Sequence, residues 1–201
     1  MITVMSAVDE DHRLILAARS GDAIAREALG RRVSRSAYLF AFQLTGDREA
    51  SRDIAQDGAL RFFRYLDRFD PARPIEPWLF QIVRNRVRDL ARRAQIRRHE
   101  SLDALLEHRR PEPAAADHDP AGEAERADLR QRIWQSVARL SDPHREIFLL
   151  RDFHHLSYGE IAEVLSIPLG TVMSRLHAAR MNLRALLGDD ERRFGREGSD
   201  R

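Results

Sequence analysis

The sequence contains no cysteine and no lysine. Without cysteine there is no disulfide framework, no thiolate zinc site and no sulfur nucleophile, and a reducing compartment suits the chain. Without lysine, all 34 basic residues are arginine, which fits a GC-rich coding bias as well as a use for guanidinium chemistry. Long hydrophobic runs are missing too. None approaches the roughly 18 to 20 apolar residues that span a bilayer, and Met1 to Asp11 lacks the basic-then-apolar order of a secretory signal. The expectation is a cytoplasmic protein with no membrane insertion. No segment alternates convincingly like a strand, and no internal repeat is visible. What remains is 43% hydrophobic and 33% charged residues in 201, enough for real cores under a heavily charged surface. The formal net charge of +2 is too small to argue for nucleic acid by itself, so the position of the charges matters more than their sum.

From His12 to Arg98 the periodicity is helical. Leu14, Ile15 and Ala18 mark a first short helix ended by Gly21-Asp22. A second is predicted over Ala23–Thr45, with Leu29, Val33, Ala37, Phe40, Ala41 and Leu44 on one face and Gly46-Asp47 closing it. A third covers Glu49–Leu66. Pro71, Pro74 and Pro77 exclude a continuous helix over Asp67–Pro77. A fourth helix starts near Trp78 with the stripe Leu79, Ile82, Val83, Val87 and Leu90. From His99 to Ala124 seven acids face two bases and three prolines intervene, the composition of a mobile connector. Beyond it, Leu129, Ile133, Trp134, Val137 and Leu140 line a helix, and Ser141-Asp142-Pro143 starts another. The fold class is therefore all-α: two small helical domains, 12–98 and 125–187, joined by a flexible acidic linker at 99–124. Residues 1–11 and 188–201 read as disordered tails.

Three constellations carry chemistry. In Leu156–Arg180, Ser157 and Glu160 have capping-box spacing. A short helix, a turn at Ser166-Ile167-Pro168 and a longer helix from Gly170-Thr171 make a helix-turn-helix, with Ile161, Ala162, Leu165, Val172 and Leu176 as its apolar seam. Thr171, Met173, Ser174, Arg175, His177 and Arg180 are left on the outward part of the second helix, the part that enters a major groove. An ordinary helical hairpin with a solvated basic face is the plainer alternative. The second constellation is the run from Arg84 to Arg98, seven arginines against the single acid Asp89. Beside an aromatic, proline-rich loop it suits a DNA backbone, although charge runs are also common solvated faces and Phe62, Phe63, Phe69, Trp78 and Phe80 also suit a core. The third is Asp53, Gln56 and Asp57 at helical spacing, followed by Arg61 and Arg64, which taken alone can be simple helix-supporting pairs; Ile54, Leu60 and Phe63 are expected on the other, apolar side of this helix.

The stretches DIAQDGALRFFRYLDRF (Asp53–Phe69), PWLFQIVRN (Pro77–Asn85) and LSYGEIAEVLSIPLGTVMSRLHAAR (Leu156–Arg180), in this order across an acidic connector, resemble the extracytoplasmic-function (ECF) sigma factors, group IV of the bacterial housekeeping-sigma superfamily. The resemblance covers about residues 12–98 and 125–187. It implies a non-enzymatic initiation factor that carries core RNA polymerase to promoter DNA, is restrained by an anti-sigma factor, needs no cofactor or metal and is monomeric when free. Asp53, Gln56, Asp57, Leu60, Arg61 and Arg64 would grip the polymerase clamp helices. Asp70, Arg73, Trp78, Arg84, Asn85, Arg88 and Arg92 would capture and melt the minus-10 element. Thr171, Met173, Ser174, Arg175, His177 and Arg180 would read the minus-35 element. The chain departs from the pattern at Gly58 and Ala59, where larger apolar residues are usual, at Met173 and Ala178, where a basic residue is common, and at Ser166, which replaces a frequent glycine. Two other readings stand beside this one. A stand-alone helix-turn-helix regulator would bind duplex without polymerase as a symmetric dimer. A nucleic-acid enzyme would need a metal cluster or a nucleophile-base pair, and His154-His155 lacks ligand spacing.

Overall fold

The computed structural model describes residues 7–100 and 120–197. Among them there is no strand, and the order is α1 (Ala7–Arg19), α2 (Ala23–Thr45), α3 (Arg48–Tyr65), a 3-10 turn (Leu66–Arg68) and α4 (Ile75–Glu100). There follow α5 (Pro120–Ala138), α6 (Asp142–Phe148), a π-helical segment (Leu149–Phe153), α7 (Tyr158–Leu165) and α8 (Leu169–Glu197). Contacts divide the chain into two compact units, Met1–Glu107 and His108–Arg201.

In the first unit α2 is the central rod, touched by α1, α3 and α4. Its ends are set locally: the Asp22 carboxylate accepts from the Ile24 and Ala25 N–H groups, and Gly46 closes the helix at φ 66°, a conformation that suits glycine. Asp47 then caps α3 through the Glu49 and Ala50 N–H groups. Leu29, Val33, Ala37, Phe40 and Ala41 of α2 are buried against Ile54 and Phe62 of α3 and Leu79, Phe80 and Val83 of α4. Phe40 and Phe80 meet with ring centroids 4.5 Å apart. Each large side chain so covered contributes about 1.5–3 kcal/mol relative to exposure. Gly58 lies on this buried face of α3, where an added Cβ would meet Leu79 and Ala37. Its departure from the family pattern therefore concerns local packing rather than the outward face of the helix.

Two polar devices hold α1. The Arg19 guanidinium donates from Nε to the Leu66 carbonyl at 2.8 Å and from Nη2 to the Phe69 carbonyl. Arg32 on α2 bridges Asp11 on α1 (2.8 Å) and Glu76 on α4 (3.2 Å). The fourth helix begins at Ile75, three residues before the predicted start near Trp78. Pro77 then falls within the first turn, where the N–H it lacks would have no intrahelical partner.

The second unit is built around α8, which contacts α5, α6 and α7. Val137, Leu140, Ile147, Leu149, Leu150, Ile161, Leu165, Val172 and Leu176 form its core. Leu129, predicted on the apolar face of its helix, is instead 49% exposed, because full burial along α5 begins at Ser136, about two turns later. Of the connector at 99–124, residues 101–119 lie outside the described residues, and α5 already starts at Pro120, a residue suited to a first helical position. Where a disordered tail was expected from 188, α8 continues to Glu197. No proline occurs after Pro168, and Leu, Ala, Arg and Glu there are good helix formers. At the other end α1 already begins at Ala7, inside the expected tail 1–11. Residues 1–6 and 198–201 lie outside the described residues.

Candidate nucleic-acid interface

The helix-turn-helix is set by its caps. Ser157 accepts from the Glu160 N–H at 3.3 Å while the Glu160 carboxylate accepts from the Ser157 N–H at 2.7 Å, so the predicted capping box is closed in both directions. The other end of α7 stops at Ser166 in the left-handed conformation (φ 56°, ψ 49°), with the Ile167 N–H bonding back to the Ala162 carbonyl at 3.1 Å. Serine here tolerates a conformation that glycine adopts without a Cβ penalty. Of the predicted seam, Ile161, Leu165, Val172 and Leu176 are buried, whereas Ala162 is half-buried.

On α8 the outward residues differ in what they can offer. Met173, Ser174, His177 and Arg180 are exposed, and Thr171 and Arg175 are half-buried. Arg180 is already engaged: Nη2 donates to Asp152 Oδ1 at 2.7 Å and Nε to Oδ2 at 3.4 Å. The hydrogen bond to Asp152, above all, holds this guanidinium more firmly protonated than usual. Asp152 comes from the π-helical segment, where the His154 N–H reaches back to the Leu149 carbonyl at 3.0 Å. The segment ends in His155 at φ 56°. Arg151 donates to the Leu156 carbonyl at 2.7 Å and lies over the Tyr158 ring, 5.2 Å from its centroid. Burial pushes the His154 pKa down to about 4, with His155 adding to the effect, so this imidazole is neutral at ordinary pH. The segment thus serves as a frame that fixes α7 and α8.

In the first unit, Asp53, Gln56, Leu60, Arg61 and Arg64 are exposed along α3, and half-buried Asp57 pairs with Arg61 at 3.1 Å. Leu60 is 53% exposed, an apolar contact amid charges on one face. On α4, Gln81, Asn85, Arg88 and Arg92 are exposed at spacings of four and three, which puts them on one face. Arg84 is different. It is 6% exposed and packed within the unit, so its guanidinium is not offered to a phosphate in this conformation. Its position, four residues after buried Phe80, places it on the apolar arc of the helix. The side chains of Arg97 and Arg98 lie outside the described ones. In the loop before α4, Asp70 turns the chain: its carboxylate accepts from the Ala72 N–H at 3.0 Å and its carbonyl from the Arg73 N–H at 3.0 Å. Arg73 is exposed on that turn.

Trp78 joins an aromatic cluster. Its ring stacks on Tyr65 (centroids 5.6 Å, planes 12° apart) and meets Phe62 and Phe69 edge-on at 5.7 and 6.1 Å. Phe62, Phe69 and Phe80 are core, whereas Tyr65 is 42% exposed. Tyr65, Arg19 and Asp152 are contributors that spacing did not single out. Arg19 and Asp152 act across long stretches of chain and stand in no quoted motif, and Tyr65, within the Asp53–Phe69 stretch, has no distinguishing spacing of its own.

Residues 29–97 match the sigma-70 region 2 family and residues 130–183 the sigma-70 region 4 family. The chain is 30% identical over 168 residues to the ECF RNA polymerase sigma factor SigW of Bacillus subtilis, covering 76% of this chain and 83% of that protein. It is 34% identical over 173 residues to the ECF RNA polymerase sigma factor SigL of Mycobacterium tuberculosis, covering 84% and 94%. Among solved structures it is similar to the sigma factor RpoE in complex with the anti-sigma factor NepR from Bartonella quintana. That likeness has a TM-score of 0.65 at 25% identity and covers 81% of this chain and 96% of that one.

Proposed function

The chain belongs to the extracytoplasmic-function family of RNA polymerase sigma factors, and we propose that its two units divide promoter-directed initiation between them. Sigma factors are initiation factors rather than enzymes. The first unit docks on core RNA polymerase through the exposed face of α3, using Asp53, Gln56, Asp57, Leu60, Arg61 and Arg64. A buried apolar anchor within a charged rim suits a protein interface, and Leu60 exposed between acids and arginines has that make-up. The Asp70–Arg73 turn, the Tyr65–Trp78 stack and the α4 face of Asn85, Arg88 and Arg92 hold the minus-10 strand, guanidinium groups on phosphate and aromatic edges near unpaired bases. The second unit reads the minus-35 duplex with the start of α8. The relative crystallised with its anti-sigma factor supports a regulator of the same kind here, and the place of action is the cytoplasm, where the polymerase works.

The single observation that carries this reading is the doubly closed capping box and left-handed turn that present α8, in a chain whose other unit matches sigma-70 region 2. Run-off transcription with purified core polymerase over a promoter library tests it: the chain should direct initiation at a defined subset of sequences. Charge reversal at Asp53 and Asp57 should weaken binding to core at least tenfold while leaving the helical circular-dichroism signal unchanged. Binding that survives the reversal would remove α3 from the interface. Tight duplex binding without polymerase, and no initiation with it, would favour a stand-alone regulator.

A further inference from the structure

We propose that α8 reads its duplex through the 5-methyl groups of thymines, with Met173 as the specificity-determining side chain. This rests on the reading of α8 as the duplex-reading helix. Among the described residues, Leu169, Met173 and Met181 are 47%, 50% and 50% exposed. They follow one another at four and eight residues along α8, with exposed His177 between them. Residues four apart lie one above the next on a helix, so these side chains make one slowly winding apolar stripe. Single exposed apolar residues need no explanation, but three along one face, interrupted only by His177, mark a contact surface. DNA is its occupant because the stripe begins at Leu169, in the first turn of α8 directly after the turn of the helix-turn-helix, the part that enters a major groove in such motifs.

Of the guanidinium groups nearby, that of Arg180 is engaged elsewhere. Arg180 is held by both oxygens of Asp152, and Arg175 is half-buried while Met173 and Ser174 stand out. Guanine is read most often by an arginine fork on O6 and N7, and no fork projects from position 173. What projects there is an unbranched thioether with three rotatable bonds, able to fit an irregular apolar surface. The major groove offers one apolar feature, the thymine 5-methyl group. Ser174 beside it donates its hydroxyl to the Thr171 carbonyl at 3.3 Å, and a hydroxyl that can donate or accept adds little preference of its own. The base pair facing Met173 is therefore an A·T pair with its methyl toward the helix.

Deoxyuridine isolates the effect, since it differs from thymidine only by that methyl. Holoenzyme assembled from core polymerase and the full chain is titrated onto a promoter taken from the library above, with each thymine of the upstream element replaced in turn by deoxyuridine. One or two positions should lose about fourfold in affinity, the worth of one buried methyl group. Met173→Ala should abolish that loss, and Met173→Arg should shift preference at the same position toward guanine by roughly tenfold. If scrambling the whole upstream element leaves binding unchanged, α8 is not the duplex reader and the underlying assignment fails. If scrambling abolishes binding yet every deoxyuridine is silent and Met173→Arg keeps the original base preference, the methyl reading is overturned while the role of α8 stands. The stripe would then belong to a protein contact.

Discussion

Asp11 places a carboxylate where water does not reach. It is 2% exposed on α1, and its Oδ2 lies 2.8 Å from Arg32 Nη2, which also meets Glu76 of α4 at 3.2 Å. Its Oδ1 has no hydrogen-bond partner, and neither has the buried Nε of Arg32. Burial raises the Asp11 pKa from 3.8 to about 6; the attraction of Arg32 opposes this, and Glu76 and Glu10 add to the rise. A carboxyl whose folded pKa lies above its unfolded value stabilises the fold fully below the unfolded value and loses that contribution as pH rises through the folded one. The interval from 3.8 to about 6 corresponds to about 3 kcal/mol at 1.36 kcal/mol per pH unit. Asp11→Asn keeps the shape and an oxygen for Arg32 but cannot ionise. At pH 3.5 to 4 the two proteins should be equally stable, and by pH 7.5 the variant should be the more stable by up to about 3 kcal/mol. The assay is urea unfolding in a Trp134→Phe background, so that Trp78 is the single tryptophan and reports the first unit. Taking the difference between the two proteins cancels the carboxylates they share. A variant less stable than the parent at pH 7.5, or a difference that does not change between pH 4 and 7.5, would show that the ion pair outweighs desolvation and that this reasoning is wrong.

Three more outcomes follow from local geometry. Gly58→Ala should stabilise the first unit by about 0.5–1 kcal/mol in the same assay, because the new Cβ would stand 3.5 Å from Leu79 Cδ1 and 3.7 Å from Ala37 Cβ, ordinary contact distances; a loss would mean the crossing has no room. Ser166→Gly should raise the stability of the second unit by about 1 kcal/mol, read by Trp134 fluorescence, since it relieves a side chain at φ 56°. Asp152→Ala should cost less than about 1 kcal/mol, because the pair with Arg180 is partly exposed, yet steepen the log–log salt dependence of duplex binding by about one as Arg180 turns to a phosphate. An unchanged slope would leave Arg180 without a route to DNA.

Elements marked by chemistry at both ends were legible before any coordinates. The span Ala23–Thr45 is bounded by Asp22 and Gly46, and both act as expected. Ser157 and Glu160 announce the start of α7 in the same way. Interactions without a period were not legible. Asp152 and Arg180 are 28 residues apart, and Asp11 and Glu76 meet through Arg32 across three helices; no local rule pairs them. The π-helical segment shifts the register between α6 and α7, which a 3.6-residue pattern does not encode. Arg84 misled for another reason. A dense arginine run reads as a solvated or DNA-facing side, and its charge hides that position 84 falls on the arc of Phe80 and Val83. The outward set on α8 and the polar part of that on α3 follow from removal of the apolar seam, but Leu60, expected on the apolar side with Ile54, is 53% exposed. Which of those outward side chains are already engaged could be learned only from their neighbours.

The same distinction bears on how the protein holds DNA. Arginine is abundant, and five of its side chains belong to the frame: Arg19 and Arg32 fasten α1, Arg84 is internal, Arg151 and Arg180 brace the helix-turn-helix. The α4 face carries Arg88 and Arg92, and the stripe along α8 is mostly apolar. Nonspecific affinity for DNA grows with the number of phosphates neutralised, so on the proposed reading either unit by itself should bind weakly and with a shallow salt dependence. Useful affinity then requires both units to engage one promoter at once, each raising the effective concentration of the other. A docking platform that holds the two at promoter spacing supplies that condition, and in a sigma factor the platform is core polymerase. On that reading, dependence on polymerase would follow from where the guanidinium groups are placed, and adding outward arginines on α8 should loosen it.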